Sequence, residues 1–396
     1  MRNQGRTFIP EDFMRVMLLG VGAIGTVIAR HLAGHRAIEG VTLCDMDTTR
    51  AEKLAGELPA GRTRVEKVDA ADPQALARAL EGHGLVINAV LPRFNGAICD
   101  AALAAGSHYM DLASGEDDLF SRDAAWKKAG RIALNGMGED PGISNVFARS
   151  ATDRLDEVDA VRVRDGEYSE SEEFPLACLF STETFIEEAV SPARYYEDGD
   201  WKKIPAWSNQ EVYPFPEPVG PQTIYNMSHE EVDTLPRRLG KKVRFVDFKL
   251  AVPDSMQQHL AFLDRIGMTR RDTVRVRGGQ VTPLAVLSAV LPQPADLGGR
   301  IQGAAIVLVE VDGTRGGRRM RHVLHAAMTH QEAFRRQKVT ATAYLTGTGG
   351  AAGAIAIASG RLKLTGVLSP EQLDPEPMLG LLEELGISVE RKEKAI

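Results

Sequence analysis

Three glycines, Gly20, Gly22 and Gly25, stand at G-x-G-x-x-G spacing directly after the apolar run Val16–Leu19. A helical pattern follows, with Ile24, Val27, Ile28 and Leu32 on one face. A second apolar run, Val41–Cys44, then ends in Asp45. Each of these residue types has a job in phosphate and ribose recognition. Gly20 permits a tight turn, Gly22 lets backbone approach a pyrophosphate, and Gly25 lets the helix lie close on the sheet. The free N–H groups at the helix start, around Ala23 and Ile24, hold phosphate oxygens. Asp45, twenty residues beyond Gly25, accepts from ribose hydroxyls. Together these residues predict a dinucleotide site. At the next strand end, Asp69-Ala70 lies where adenine would sit; the Asp69 carboxylate either accepts from the adenine amino group or serves only its own turn. A fourth, nearly all-apolar strand over Leu85–Leu91 runs into Asn88, Ala89, Val90 and Pro92. That end faces the nicotinamide half of such a cofactor.

These residues need a doubly wound parallel sheet to position them, and strand–helix alternation from Val16 to about Leu155 predicts one. Thr49-x-x-Glu52 reads as a capping box for the second helix, and Asp72-Pro73 opens the third. Asp111, at the end of strand His108–Ala113, falls on the ligand side of the sheet. Pro141 suits the first turn of a helix whose positive end points back at the crevice. From about Asp159 the texture changes to period-two alternation over Val158–Val163, Val243–Leu250, Thr273–Arg277, Ile306–Val311 and Arg319–His325. The last two flank the turn Asp312–Gly317, and Thr282-Pro283 opens a helix. Residues 192–221, with Trp201, Trp207 and Tyr213, read as a structured loop, a candidate lid or partner contact. Gly349–Ser359 is a small-residue helix, read as packing tightly on the first domain. The fold class is therefore α/β, a Rossmann doubly wound parallel sheet with an inserted α+β mixed-sheet domain. Its parts are an N-terminal extension (1–14), the dinucleotide-binding domain (15–155), the inserted substrate and dimerisation domain (156–338) and a C-terminal return to the first domain (339–396).

Bulk properties bound the function. The chain has 396 residues, 43% hydrophobic and 26% charged, with net charge −7. Nothing in it reads as a nucleic-acid footprint, a membrane span or a signal peptide. Cys44, Cys99 and Cys178 are too scattered for a disulfide framework or zinc site, which fits a cytoplasmic protein without a metal. Cys178 reads as a buried small side chain.

Taken in order, VMLLGVGAIG with LCDMD, VINAVLPRFN, HYMDLASGE, GEDPGISN, FSTETFIEEAVSPARYYEDGDWKKIP, PVGPQTIYNMSHEEVDTLPR and ATAYLTGTGGAAGAIAIASGRLKLTGVLSPEQL resemble the saccharopine dehydrogenase family, with lysine 6-dehydrogenase-like members nearest in look. The resemblance spans nearly all of Arg15–Leu373. It implies an NAD(P)-linked oxidoreductase acting on a C–N bond of an amino acid, commonly as a homodimer. The family's fungal-type members prefer NADP and carry a basic or neutral residue where Asp45 stands. Asp45 repels a 2′-phosphate, so NAD is the expected cofactor, with Arg50 keeping NADP open.

Amine oxidation by hydride transfer needs a base to deprotonate the ammonium and a carboxylate near the developing iminium. Asp111 and the pair His229-Glu230 are the candidates; a histidine beside an acid titrates near neutrality. A substrate carboxylate needs an arginine or a helix N-terminus, for which Arg93, Arg237, Arg244 and the helix opening at Pro141-Gly142 are candidates, with Asn95 and Asn145 as further substrate contacts. Two other readings stand beside this one. One is a carboxynorspermidine-type polyamine imine reductase, whose cationic substrate the runs Glu170–Glu173 and Glu230–Glu231 would meet. The other is a non-catalytic NAD(P)-binding regulatory protein.

Overall fold

The computed structural model describes residues 14–113 and 118–396. The expected N-terminal extension lies outside these residues except for Met14, which opens the first strand; Ser114, Gly115 and Glu116 of the HYMDLASGE stretch also lie outside.

The first half alternates as its pattern demands. It comprises β1 (Met14–Leu19), α1 (Ala23–Ala33), β2 (Ile38–Asp45), α2 (Thr49–Glu57), β3 (Thr63–Lys67), α3 (Pro73–Ala79), β4 (Leu85–Asn88), α4 (Asn95–Ala105), β5 (His108–Asp111), α5 (Asp123–Ala129), β6 (Ile132–Leu134) and α6 (Ile143–Thr152). A late strand, β17 (Gly366–Leu368), joins them in a seven-stranded sheet of order β17-β6-β5-β4-β1-β2-β3. Every neighbouring pair is parallel. β4 is buried throughout and β1 over its last four residues, so their apolar runs are continuous rather than alternating.

Helix starts differ in detail from the sequence expectation. α2 is capped one step earlier than Thr49: the Thr48 hydroxyl donates to Glu52 at 2.8 Å and Asp47 accepts the Thr49 N–H at 3.0 Å. Asp72 caps α3 as read, accepting from Gln74 and Ala75. Pro141 stands ahead of α6 rather than in its first turn. The turn before that helix closes on itself, Gly138 N–H to Pro141 C=O at 2.7 Å, which leaves Gly142 as the cap residue.

The second half is built on β7 (Glu157–Glu170), α7 (Thr182–Val190), β8 (Ala193–Glu197), β9 (Asp200–Ile204), β10 (Glu211–Pro214), β11 (Pro221–Asn226), α8 (Glu231–Arg238), β12 (Phe245–Ala251), α9 (Asp254–Arg265), β13 (Val274–Val276), β14 (Gly279–Val281), α10 (Pro283–Val290), β15 (Gln302–Arg315), β16 (Arg318–Thr329), α11 (His330–Gln337), α12 (Ala341–Ala358), α13 (Pro375–Glu384) and β18 (Glu390–Ala395). Its sheet runs β10-β11-β12-β7-β15-β16-β18, with β8 on β12 and β9 on β8. β12 and β7 are parallel, and the other pairs are antiparallel. Thr273–Arg277 does not join this sheet. Its strand forms a separate hairpin of β13 and β14 that buries no residue. The stretch 192–221 holds three short strands, β8 to β10, where a loop was expected. The β15–β16 turn is also tighter than expected. Pairing continues to Arg315↔Arg318, so Gly316-Gly317 alone makes the turn, with φ +58° and +73°, the left-handed values of a two-residue hairpin.

α12 is almost wholly buried, and its small residues explain how. A Cβ on Gly347 would sit 2.5 Å from the Cβ of Val27 in α1, and one on Gly349 2.1 Å from the Gly138 carbonyl oxygen. Side chains there would force the helix off both the first domain and the Gly136–Gly142 loop. The C-terminal stretch serves both sheets: β17 completes the parallel sheet, while β18 pairs with β16 at the edge of the mixed one. One apolar core runs continuously from the first sheet through α6 and α12 to the second. No described helix is long and apolar enough to cross a membrane.

Candidate active site

A cavity of about 500 Å³ lies between the two sheets, at the C-terminal ends of β1, β2, β4 and β5. Gly20 makes the turn out of β1 with φ +94°, its N–H held by the Cys44 carbonyl at 2.8 Å. Gly25 is needed for contact, since a Cβ there would lie 2.0 Å from the Gly20 carbonyl oxygen. Gly22 differs from both: a Cβ there would meet nothing within 4 Å. The protein's own packing does not require glycine at 22, so the space before it is room for a ligand at the start of α1. That is the cradle a pyrophosphate needs. Asp45 braces the loop, accepting the Val21 N–H at 2.9 Å.

On the other side of the strand ends, Asn88 donates to Asn95 at 2.7 Å and accepts the Val90 N–H at 3.1 Å. Asn95 in turn donates to the Ala113 carbonyl at 2.8 Å, tying the β4 and β5 loops together. Asp111 is fully buried and accepts the Gly136 N–H at 2.6 Å and the Tyr109 hydroxyl at 2.8 Å. Burial pushes its carboxyl up to about 7 against those two donors.

The facing wall is acidic. On β7, Val161, Val163, Asp165 and Glu167 share one face by period-two alternation, which carries two carboxyls into a buried apolar surface. Asp140, from the loop clamped by α12, is hydrogen-bonded to Asp165. Among the described residues no hydrogen-bond donor reaches Asp140 Oδ2 or Asp165 Oδ1, and each carboxyl raises the cost of ionising the other. Burial pushes Asp165 up to about 7 and Glu167 to about 8, and holds Asp140 and Glu139 well above the usual carboxylate range. Thr342 and Thr346, one turn apart on α12, line the cavity and donate to Glu167 at 2.6 Å and Glu139 at 3.4 Å. Ser181, Thr184 and Glu188 reach the cavity from one side of α7, and burial pushes Glu188 up to about 8.

His229 sits among these acids, in the loop between β11 and α8. Its ring stacks on Phe248 of β12, centroids 3.8 Å apart and planes 8° off parallel. Nδ1 is hydrogen-bonded to Glu231, which is completely buried and also accepts the Ser144 hydroxyl at 2.7 Å; Glu230 lies 3.4 Å away. Burial would lower the imidazole, but Glu231 and Glu230 outweigh it and raise it to about 10. The ring is therefore an imidazolium at neutral pH. The ligand atoms of His229, Glu230 and Glu231 lie within 4.8 Å of one another, a spacing that could also suit a metal ion, with the imidazolium's own charge already among them.

The structure brings most of the sequence-derived candidates to this cavity. Gly20, Gly22, Ile24, Asp45, Asp69, Ala70, Asn88, Ala89, Val90 and Pro92 line it, as do Arg93, Asn95, Asp111, Pro141, His229 and Glu230. Ala23 and Gly25 form the helix start behind the lining. Gly142 and Asn145 also stand behind it. Asn145 is fully buried, accepts the Gly142 N–H at 2.9 Å and donates to Glu371 at 3.0 Å, so it joins the GEDPGISN and LTGVLSPEQL stretches. Arg244 is elsewhere, paired with Asp198 in a separate shallow cavity. Arg237 lines a second chamber adjoining the first. Arg93 lines the first but is ion-paired with Glu183 at 3.2 Å. Arg50 lies 3.3 Å from Asp296. Of the acidic runs, Glu170–Glu173 line neither chamber, and Glu173 pairs with Arg300. Cys178 is buried and its thiol pushed up to about 12 by burial. Sequence reasoning missed Asp140, Asp165 and Glu188. A signal existed for Asp165 and Glu167, which continue the apolar phase of β7.

Comparison with known proteins agrees with this geometry. Residues 16–134 match the saccharopine dehydrogenase NADP binding domain and residues 138–387 the saccharopine dehydrogenase C-terminal domain. The chain belongs to the saccharopine dehydrogenase family. It is an NAD(P)-dependent oxidoreductase of that family, with the family's dinucleotide-binding domain followed by a mixed-sheet domain. It is 29% identical to carboxyaminopropylagmatine dehydrogenase of a Synechocystis species, covering 94% of this chain and 96% of that one. It is 27% identical to carboxynorspermidine synthase of Vibrio cholerae, over the same shares. The fold is that of apo saccharopine dehydrogenase (L-Glu forming) from Saccharomyces cerevisiae, with TM-score 0.74 at 16% identity, covering 96% of this chain and all of that one.

Proposed function

We propose that this member of the family makes or breaks the C–N bond between an amino-acid carbon chain and a polyamine-type amine. The observation that carries the reading is the cavity's concentration of buried carboxyls, which ionise when a cation enters beside them. Asp140, Asp165, Glu188 and Glu230 line the wall facing the strand ends, and among the described residues the cations in the lining are Arg93 and His229. Such a wall suits a substrate with several amine cations better than a tricarboxylate such as saccharopine. The names of the two relatives point the same way, since each describes an amine carrying an added carboxyl-bearing group.

In this reading residues 15–155 carry the dinucleotide, 156–338 close over it with the substrate wall, and 339–396 hold the two together through α12. A nicotinamide bound at the β4 end would supply or accept the hydride. His229 holds the proton that the substrate nitrogen gains on reduction and gives up on oxidation, and Glu230 and Glu188 stabilise the iminium carbon–nitrogen unit. Asp111 holds the Gly136 loop and bounds the nicotinamide end. NAD is the preferred nucleotide, because the β2 end of the cavity presents Asp45 and, among the described lining residues, no cation for a 2′-phosphate. The expected assembly is a cytoplasmic homodimer, which light scattering and fractionation check.

The test is oxidation of NADH and NADPH by the purified protein with amine–carbonyl pairs. One set joins 2-amino-4-oxobutanoate to 1,3-diaminopropane, putrescine or agmatine; the other uses lysine with 2-oxoglutarate. Turnover is expected with the first set. Turnover of the lysine set alone would return the chain to saccharopine-type chemistry, and turnover of neither would overturn the enzyme reading.

A further inference from the structure

Beside the main cavity lies a second chamber of about 550 Å³. The two share three residues, Glu188, His229 and Glu230. A substrate long enough to occupy both would therefore place its middle at His229. Away from that junction the second chamber changes character, with Arg194, Arg237 and Arg238 in its wall.

These arginines are not equivalent. Arg194 is neutralised by an ion pair with Asp233. Arg238 lies 3.4 Å from the Phe120 ring centroid and touches Gln372 at 3.5 Å. Arg237 stacks 4.5 Å over the Trp201 ring, and Trp201 is itself fixed by donating to the Val232 carbonyl at 3.0 Å. Among the described residues, no ion pair or hydrogen bond engages the Arg237 guanidinium. Contact with a ring uses none of a guanidinium's N–H donors, which remain to pair bidentately with a carboxylate. Glu230 and Asp233 stand in the same wall as acceptors for an ammonium.

We propose that the second chamber binds the amino-acid end of the substrate, its α-carboxylate on Arg237 with Arg238 beside it and its α-ammonium toward Asp233 and Glu230. The amine end then lies along the acidic wall of the main cavity, opposite the strand ends that take the dinucleotide, and the reacting C–N bond lies at the shared residues. This deepens the C–N reading above and rests on it, but it can be tested without turnover.

The experiment is calorimetric titration of the full-length protein, in the presence of NADH, with L-2,4-diaminobutanoate and with 1,3-diaminopropane, which is the same molecule without its carboxylate. Wild type should bind the first compound. Arg237→Met keeps bulk over Trp201 and should weaken the first compound at least about tenfold, the loss expected for a charge-assisted pair. It should change the second less than about twofold, and Arg237→Lys should recover part of the loss. Should Arg237→Met not fold, as read by thermal melting, Arg238→Met carries the same comparison. No binding of the amino acid to wild type, equal weakening of both compounds, or no weakening of either would overturn the assignment. Failure of the parent reading would look different: no amine-dependent NADH oxidation by wild type, with the binding pattern intact.

Discussion

Replacing His229 with glutamine keeps a hydrogen-bond donor near Glu231 while removing a positive charge from an acidic, buried cluster. The ring is raised from its ordinary 6.5 to about 10, by Glu231 and Glu230 acting against burial. A raised value means that folding favours the imidazolium. Its contribution is complete below the unfolded value and is lost as pH climbs through the folded one. At about 1.4 kcal/mol per pKa unit, wild type should exceed His229→Gln in stability by about 4 kcal/mol near pH 6, about 2–3 kcal/mol near pH 8 and under about 1 kcal/mol near pH 10. Urea unfolding of the two proteins at those three pH values measures the series. The side chain is only 8% exposed, so salt should alter the difference little. A stability difference that stays level across this range, or grows with pH, would refute the reasoning. Reductive turnover by wild type should likewise fall as pH approaches about 10, where His229 no longer holds a proton to deliver.

Three further outcomes are expected. Asp45→Ala should raise the Kd for NADH at least about tenfold and that for NADPH less than about threefold, read by fluorescence titration; equal losses would mean that Asp45 acts only by bracing Val21. Two glycine variants should separate ligand space from packing. Gly22→Ala should leave the melting temperature unchanged and weaken either nucleotide at least about tenfold, because the added methyl meets no protein atom within 4 Å. Gly349→Ala should lower stability by about 2–3 kcal/mol, because its methyl would stand 2.1 Å from the Gly138 oxygen; the opposite pattern would dismiss the assigned roles. Asn145→Ala removes the 3.0 Å donor to Glu371, a buried carboxyl already raised by burial. It should cost about 2–4 kcal/mol of stability in denaturant without raising the Kd for NADH.

Much of the dinucleotide half was legible in the chain because its signals are local. A strand, a glycine turn, a helix and a terminal acid lie within thirty or so residues, and each is set by backbone sterics or period. The small-residue helix α12 was legible as a packing element, though its contact with the Gly138 turn was not. The mixed sheet was legible as strands, but not in their extents. β15 and β16 pair well beyond their alternating cores, and 192–221 folds as strands because β12 offers an edge for β8 to join. The substrate wall was least legible. Asp140, Asp165, Glu188 and His229 come from four separate elements, and no spacing relates them.

By itself the sequence determined the strand–helix alternation of the first half, the glycine turn after β1 and the acid at the end of β2, since these follow from covalent neighbours and short-range periodicity. Only the tertiary structure decided that a histidine in a polar loop is clamped between Phe248 and Glu231, that Asp140 and Asp165 are buried side by side, and that Arg237 lines the chamber beside His229 while Arg244 does not. The reason is physical. A side chain's charge state depends on which groups are packed around it and how much water they exclude, and those groups are neighbours in space whose separation along the chain carries no record of the contact.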